Sequence, residues 1–119
     1  MSGSQAMETR MKTMFAALVI FIATSPLANA ETVMVKYRGP VDTSHFRCDD
    51  VTRSSLVKRI CYDASKQYML ISLKGTYYHY CDIDGGTVSE LMSANSMGRF
   101  FNGNIKGQFD CRSGYVPSY

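Results

Sequence analysis

The sequence lacks an apolar run long enough to cross a membrane. Its longest, Met14–Ala23, falls far short of the about 20 residues that a spanning helix requires. Proline is scarce, at 3 residues, and the 9 glycines follow no three-residue period, which excludes a collagen-like chain. No segment repeats with a period of about 20–50 residues, which excludes a solenoid or a propeller. Charged residues make up only 19% of the chain and form no tract of one sign, so the composition is not that of a disordered tail. There is no C-x-x-C and there are only two histidines, His45 and His79, which leaves no close ligand pairs for a structural zinc site. At 119 residues the chain is also too short for a dinucleotide-binding fold or a (β/α)8 barrel. One small domain is the upper bound.

What is present at the N-terminus is a leader pattern. Arg10 and Lys12 supply positive charge ahead of the apolar run, Thr24-Ser25-Pro26 ends it, and Ala28-Asn29-Ala30 is a small-x-small cleavage site. Together these predict a signal peptide over residues 1–30, cut after Ala30, and export to the periplasm or beyond, with no membrane span after cleavage. The long polar leader Met1–Arg10 is unusual for a signal peptide, and Met11-Lys12 reads better as the start than Met1. No cysteine follows the apolar run closely enough for lipid anchoring. From Glu31 onward the chain carries 11 Lys+Arg and 9 Asp+Glu, a balance too even to imply an acidic partner.

All four cysteines, Cys48, Cys61, Cys81 and Cys111, follow the leader. In an exported chain of this size they predict two disulfides.

Hydrophobic periodicity gives the elements. Thr32–Tyr37 reads as a short strand that Arg38-Gly39-Pro40 ends as a turn, and residues 41–53 read as irregular. Leu56–Tyr62, Tyr68–Leu73 and Thr76–Ile83 read as three strands, the last two joined by a tight Lys74-Gly75 turn. That turn pairs Ile71 with Tyr78 and Met69 with Tyr80. Met69, Ile71, Leu73, Tyr78 and Tyr80 then share a core face, and Tyr68, Leu70, Ser72, Tyr77, His79 and Cys81 share the other. The period then changes. Asp84-Gly85-Gly86 reads as a breaker, and Thr87-Val-Ser-Glu90 has capping-box spacing ahead of Val88, Leu91 and Met92. Ser96 is a candidate N-cap for a second helical segment carrying Met97, Phe100, Phe101 and Ile105. The expected fold is α+β: a small antiparallel meander followed by two short helices packed on one face.

With these elements in place the chain resembles the KTSC domain family, from about Ser55 to Lys106. The resemblance rests on Tyr62-Asp63 ending a strand, Tyr78-His79-Tyr80, Ala94-Asn95-Ser96-Met97-Gly98, Phe100-Phe101-Asn102 and Ile105-Lys106. Its motif residues are Tyr62, Asp63, Tyr78, Tyr80, Ser96, Gly98, Phe101 and Asn102. The family occurs as small bacterial domains and at the C-terminus of some lysyl-tRNA synthetases, which implies RNA binding as one reading. Export, an added N-terminal strand and a Cys-bearing tail set this chain apart from that context. The expected organisation is a signal peptide at 1–30, an extension at 31–54, a KTSC-like domain at 55–110 and a tail at 111–119.

In a simple meander Cys61 and Cys81 lie two strands apart, about 9.6 Å at the usual strand spacing, beyond the about 7 Å that a disulfide tolerates between Cα atoms. Each therefore holds an extension. Cys48–Cys61 with Cys81–Cys111 closes the shorter loops, and Cys48–Cys81 with Cys61–Cys111 is the other pairing.

No catalytic set emerges from the residue types, and no enzyme activity, cofactor or metal is expected. Asp49-Asp50 point apart as sequence neighbours and read as a solvated loop. Two groups are binding candidates. Tyr68, Tyr77 and His79, with Arg59 nearby, would form a stacking platform if their face were open, whereas the added strand or the tail would cover it. Arg99, Asn102 and Lys106 share one side of the last helical segment, where they would contact phosphate or carboxylate or face solvent. The leading expectation is a non-catalytic binding module of the cell envelope with a protein or envelope partner. Nucleic-acid binding is the alternative.

Overall fold

The computed structural model describes residues 31–112 and 115–119; the leader expected at 1–30 lies outside the described residues. Six strands and two helices follow in order: β1 (Thr32–Val35), β2 (Gly39–Asp42), β3 (Arg47–Asp50), β4 (Val57–Asp63), β5 (Tyr68–Leu73), β6 (Thr76–Tyr80), α1 (Gly85–Ser93) and α2 (Met97–Asn104). The class is α+β. The sheet, however, is mixed and six-stranded, in the order β2-β1-β6-β5-β4-β3. The meander β4–β5–β6 forms its centre, with Ile71 opposite Tyr78 and Met69 opposite Tyr80. Lys74 and Gly75 turn with φ of 52° and 94°, the left-handed conformation that a two-residue hairpin demands at both positions.

The differences from the sequence reading lie at the edges. The first turn is centred two residues earlier than expected, on Tyr37 at φ 70°, so Gly39-Pro40 begins β2 rather than ending β1. Pro40 is tolerated because β2 is an edge strand, where a missing N–H interrupts no ladder. Residues 41–53 also hold β3, whose run Arg-Cys-Asp-Asp carries no apolar alternation and pairs with β4 from Arg47↔Tyr62 to Asp50↔Arg59. β1 joins β6 in parallel, through Val35↔Tyr77 and the Lys36 N–H donated to the Tyr77 carbonyl at 2.8 Å. β6 ends at Tyr80 rather than Ile83, because Asp82 turns to φ 53° and the Cys81 N–H goes to the Phe109 carbonyl.

β2 and β3 are consecutive in sequence yet occupy opposite edges of the sheet. The five Cα steps from Asp42 to Arg47 reach at most about 17 Å. A flat sheet of six strands would separate its edges by about 24 Å. The sheet therefore curls into a half-barrel. The convex side carries the helices: Val88, Leu91, Met97, Phe101 and Ile105 pack on Ile60, Met69, Ile71 and Tyr80. The concave side holds a second core of Val33, Val35, Val41, Cys61, Tyr68, Leu70 and Cys81, joined by Phe46, Val116 and Tyr119.

Capping explains the helix starts. Asp84, read as part of a breaker, is the N-cap of α1 and accepts the Thr87 N–H and hydroxyl at 3.1 and 2.8 Å. The helix thus begins at Gly85, before the expected Thr87, because a carboxylate satisfies the first-turn N–H groups. Ser96 caps α2 through the Arg99 N–H, as its position implies.

The disulfides are Cys48–Cys61 and Cys81–Cys111. Cys48 and Cys61 sit directly opposite each other on β3 and β4. Two bridges that use all four cysteines fit an oxidising compartment. Among the described residues no helix is long and apolar enough to cross a membrane. Peptide mapping of the unreduced protein should yield these two cross-links, and Cys81→Ser with Cys111→Ser should lower stability by about 2–4 kcal/mol. A Cys61–Cys81 cross-link would mean that the strand order is different.

Candidate functional site

The site candidates are built on the concave face and its rim. Tyr68, at the start of β5, is fully buried. Its hydroxyl accepts from Arg38 Nη1 at 3.1 Å and lies 2.7 Å from His79 Nδ1. Arg38 has only protons to give, and with the Tyr68 hydroxyl assigned as the donor to Nδ1, His79 carries its own proton on Nε2. Burial and the Arg38 charge both lower the His79 pKa, which agrees with a neutral ring. Burial raises the Tyr68 pKa against the opposing pull of Arg38. The chain continues through Tyr119, whose ring stacks on Tyr68 at 5.8 Å and whose hydroxyl donates to Asp63 Oδ2 at 2.7 Å. Asp63 Oδ1 accepts the Ser65 N–H and hydroxyl. Burial alone would raise the Asp63 pKa, but the hydrogen bonds from Ser65 and Tyr119 outweigh it and hold the carboxyl below its usual 3.8. Tyr119 is pushed the other way, by burial and then by Asp63.

The face is therefore covered, the outcome that Leu70 and two cysteines on it favoured over an open stacking platform. Tyr68 is covered by Tyr119 and Phe46, and Tyr77 is half-buried, with its hydroxyl 3.5 Å from Arg59 Nη1. Arg59 is itself held by Glu31 at 3.0 Å. Of the three platform residues, His79 reaches a surface concavity. With Tyr37, Tyr78, Tyr80, Asp110 and Arg112 it lines a cleft of about 560 Å³. Tyr37 stands 86% exposed at the tip of the β1–β2 turn. Lys36 Nζ lies 5.5 Å from its ring and 6.0 Å from that of Tyr78. Asp110 and Arg112 pair at 2.6 Å along the cleft. The Tyr80 hydroxyl is pushed up to about 12, by burial first and Asp110 second, and stays a neutral donor.

Arg99, Asn102 and Lys106 are exposed on and just past α2. They lie on the helix layer of the convex face, across the sheet from Tyr68, Tyr77 and His79, so the two groups do not form one site. A second concavity, of about 680 Å³, separates β3 from α1, with Ile60, Tyr62, Val88 and Met92 below a rim of His45, Arg47 and Asp49. Among the described residues no cluster of three His, Cys, Asp or Glu side chains is placed to hold a metal.

The model of the KTSC domain matches residues 53–109. A solved KTSC domain protein from Yersinia pestis is 34% identical, with a TM-score of 0.51, over 54% of this chain and 90% of its own. The chain belongs to the KTSC domain family. No curated protein matches it.

The KTSC match spans β4 to α2. The motif residues do structural work within it. The Tyr62 hydroxyl donates to the Ile83 carbonyl at 2.6 Å, Phe101 meets Tyr80 edge-on at 5.6 Å, and Ser96 caps α2. Gly98 faces Leu56, where an added Cβ would sit 3.6 Å from the Leu56 Cβ. Asp63 anchors Tyr119, and Asn102 stays exposed. β1, β2, β3 and the tail lie outside the match, and each disulfide ties one of them to it, Cys48 to Cys61 and Cys111 to Cys81. The tyrosine cleft is composite for the same reason. Tyr37 comes from the extension, Tyr78 and His79 from the KTSC domain, and Arg112 from the tail. The sequence reading missed Tyr37, Arg38 and Tyr119. An exposed tyrosine flanked by Lys36 and Arg38 was the one available signal.

The Asp63–Tyr119 bond sets a pH dependence. The Asp63 pKa is lower in the folded state, so its contribution is complete above the unfolded value near 3.8 and is lost as the pH falls through the folded value. Tyr119→Phe should cost about 1.5 kcal/mol at neutral pH, and its deficit against the parent should shrink in acid below about pH 4. Thermal unfolding across this range checks it; a constant deficit would mean that the hydroxyl acts elsewhere.

Proposed function

We propose that this KTSC protein is exported by a cleaved leader and acts as a non-catalytic binding module of the cell envelope, with the tyrosine cleft as its ligand site. The observation that carries this reading is the composition of that cleft. An exposed aromatic, a half-buried one and an ion pair converge on one concavity, the mixture of apolar surface and few placed polar groups typical of binding sites. Its walls come from the extension and the tail as well as from the family domain, so the additions to the chain converge on building it. The histidine that lines it supports a non-catalytic role. His79 Nδ1 is taken by Tyr68, so the imidazole is not poised over an open nucleophile.

Nucleic-acid binding is the second reading, favoured by the exposure of Arg99, Asn102 and Lys106. Tyr68 is buried and lies across the sheet from them, so it does not serve as the stacking residue that single-stranded nucleic acid would need beside them. A surplus of two positive charges after the leader offers few phosphate contacts, so such binding would be weak and steeply salt-dependent.

The test uses oxidised protein recovered from the envelope, whose mass should begin at Glu31, as bait for envelope extract. A ligand retained by the parent should be lost by about tenfold with Tyr37→Ala, a change at an 86% exposed position that leaves the cores intact. Recovery of the protein with its leader uncut, or retention of RNA that Arg99→Ala or Lys106→Ala abolishes, would overturn the reading.

A further inference from the structure

Tyr119 is seated as a ligand is seated. Its ring lies 4.7 Å from Phe46 and 5.8 Å from Tyr68, and its hydroxyl reaches Asp63 at 2.7 Å. Lys66 Nζ and the Arg38 guanidinium flank it at 5.1 and 5.9 Å. A cleft of about 340 Å³ opens beside it, walled by Asp42, His45 and Asp63. It shares no lining residue with the tyrosine cleft.

The segment that delivers Tyr119 is lightly held. Among the described backbone hydrogen bonds outside helices and strands, none involves residues 115–119. Behind the Cys81–Cys111 bridge the attachment is by side chains: Val116 and Tyr119 in the concave core and the buried Pro117. Segments without ladder bonds open at low free-energy cost.

We propose that the pocket filled by Tyr119 is a binding site for a phenol group, closed in the resting protein by the chain's own tyrosine and opened when the tail swings away. The pocket selects this chemistry. Asp63 Oδ1 is taken by Ser65, so Oδ2 is left to accept one donor. Phe46 and Tyr68 supply ring faces. Arg38 and Lys66 repel a cation, and Asp63 repels a carboxylate. A neutral aromatic ring bearing one hydroxyl satisfies all of these, and it is carried by a tyrosyl side chain of an extended peptide or by a free phenol. The tail competes at an effective concentration of order mM, so the pocket responds to a partner rather than to trace phenols.

The experiment records amide shifts at Phe46, Asp63 and Tyr68 in the oxidised protein and in Tyr119→Ala. The probes are 4-methylphenol and the tail-mimic peptide acetyl-Val-Pro-Ser-Tyr, with 4-methylanisole and the peptide ending in Phe as hydroxyl-free controls. Tyr119→Ala should bind the hydroxylated probes about tenfold more tightly than the controls, as a hydrogen bond to a charged acceptor requires. The parent should bind them at correspondingly higher concentration, and Asp63→Asn added to Tyr119→Ala should erase the preference. A peptide that outcompetes 4-methylphenol points to a polypeptide partner, and equal binding points to free phenols. Should Tyr119→Ala lose its fold, Tyr119→Phe, which keeps the ring, should still bind 4-methylphenol more readily than the parent. Equal binding of probes and controls, or no binding by either variant, would overturn the proposal.

Discussion

β5 is buried on both faces, and the rest of the molecule is arranged around that constraint. Met69 and Ile71 point to one side and Tyr68 and Leu70 to the other, all four at 0% exposure. The helices α1 and α2 shield the first side, within the KTSC match. The second side requires cover that the matched segment does not supply. The extension and tail provide it, by curling the sheet around Tyr68 and Leu70 and adding Val33, Val35, Val41 and Phe46 to them. Each bridge joins a cysteine of the buried concave face, Cys61 or Cys81, to an element that closes over it. At about 2–4 kcal/mol each, the bridges are comparable to the net stability of a small domain.

The same arrangement shapes the candidate sites. The three concavities described lie between the family domain and something added to it, with Tyr37 and Arg112 at one, Ser118 at another and Arg47 at the third. Likeness to the family thus describes the scaffold, and residues from 31–52 or 110–119 complete each of these clefts against it. Arg38 and Tyr119 connect the two levels. One donates to the Tyr68 hydroxyl that meets His79, and the other seals Asp63.

The centre of the fold was legible in the sequence and its edges were not. Period-two alternation and the Lys74-Gly75 turn placed β5 and β6 in the observed register, and Ser96 marked α2, because each signal is local. Strand spacing separated Cys61 from Cys81 and left the observed disulfide pairing as the shorter-loop choice. β2 and β3 were invisible, since four-residue edge strands such as Arg47–Asp50 have no apolar period to read; they form because β1 and β4 present unpaired edges. The curl was hidden for a related reason: it follows from the short link between β2 and β3, which has no meaning until both are known to be strands. Tyr68, Tyr77 and His79 were placed correctly on one face, and Leu70 with two cysteines on that face favoured its being covered by the added strand or the tail; Tyr119 of the tail does cover Tyr68, together with Phe46. Arg99, Asn102 and Lys106 were legible as exposed because helix periodicity alone decides it. Tyr119 lay in a tail without periodicity, and its place is set entirely by tertiary contacts.

The central claim is that disulfide-held additions cover an apolar concave face. The most direct measurement is binding of a hydrophobic dye to the oxidised protein and to the same protein with both bridges reduced by a dithiol, with thiols counted and secondary structure followed by far-ultraviolet circular dichroism. The account predicts little dye binding when oxidised, and a marked rise on reduction while the sheet and helix signal is largely kept. Full reduction without any rise in dye binding would contradict it, because the additions would then hold the face closed by packing alone.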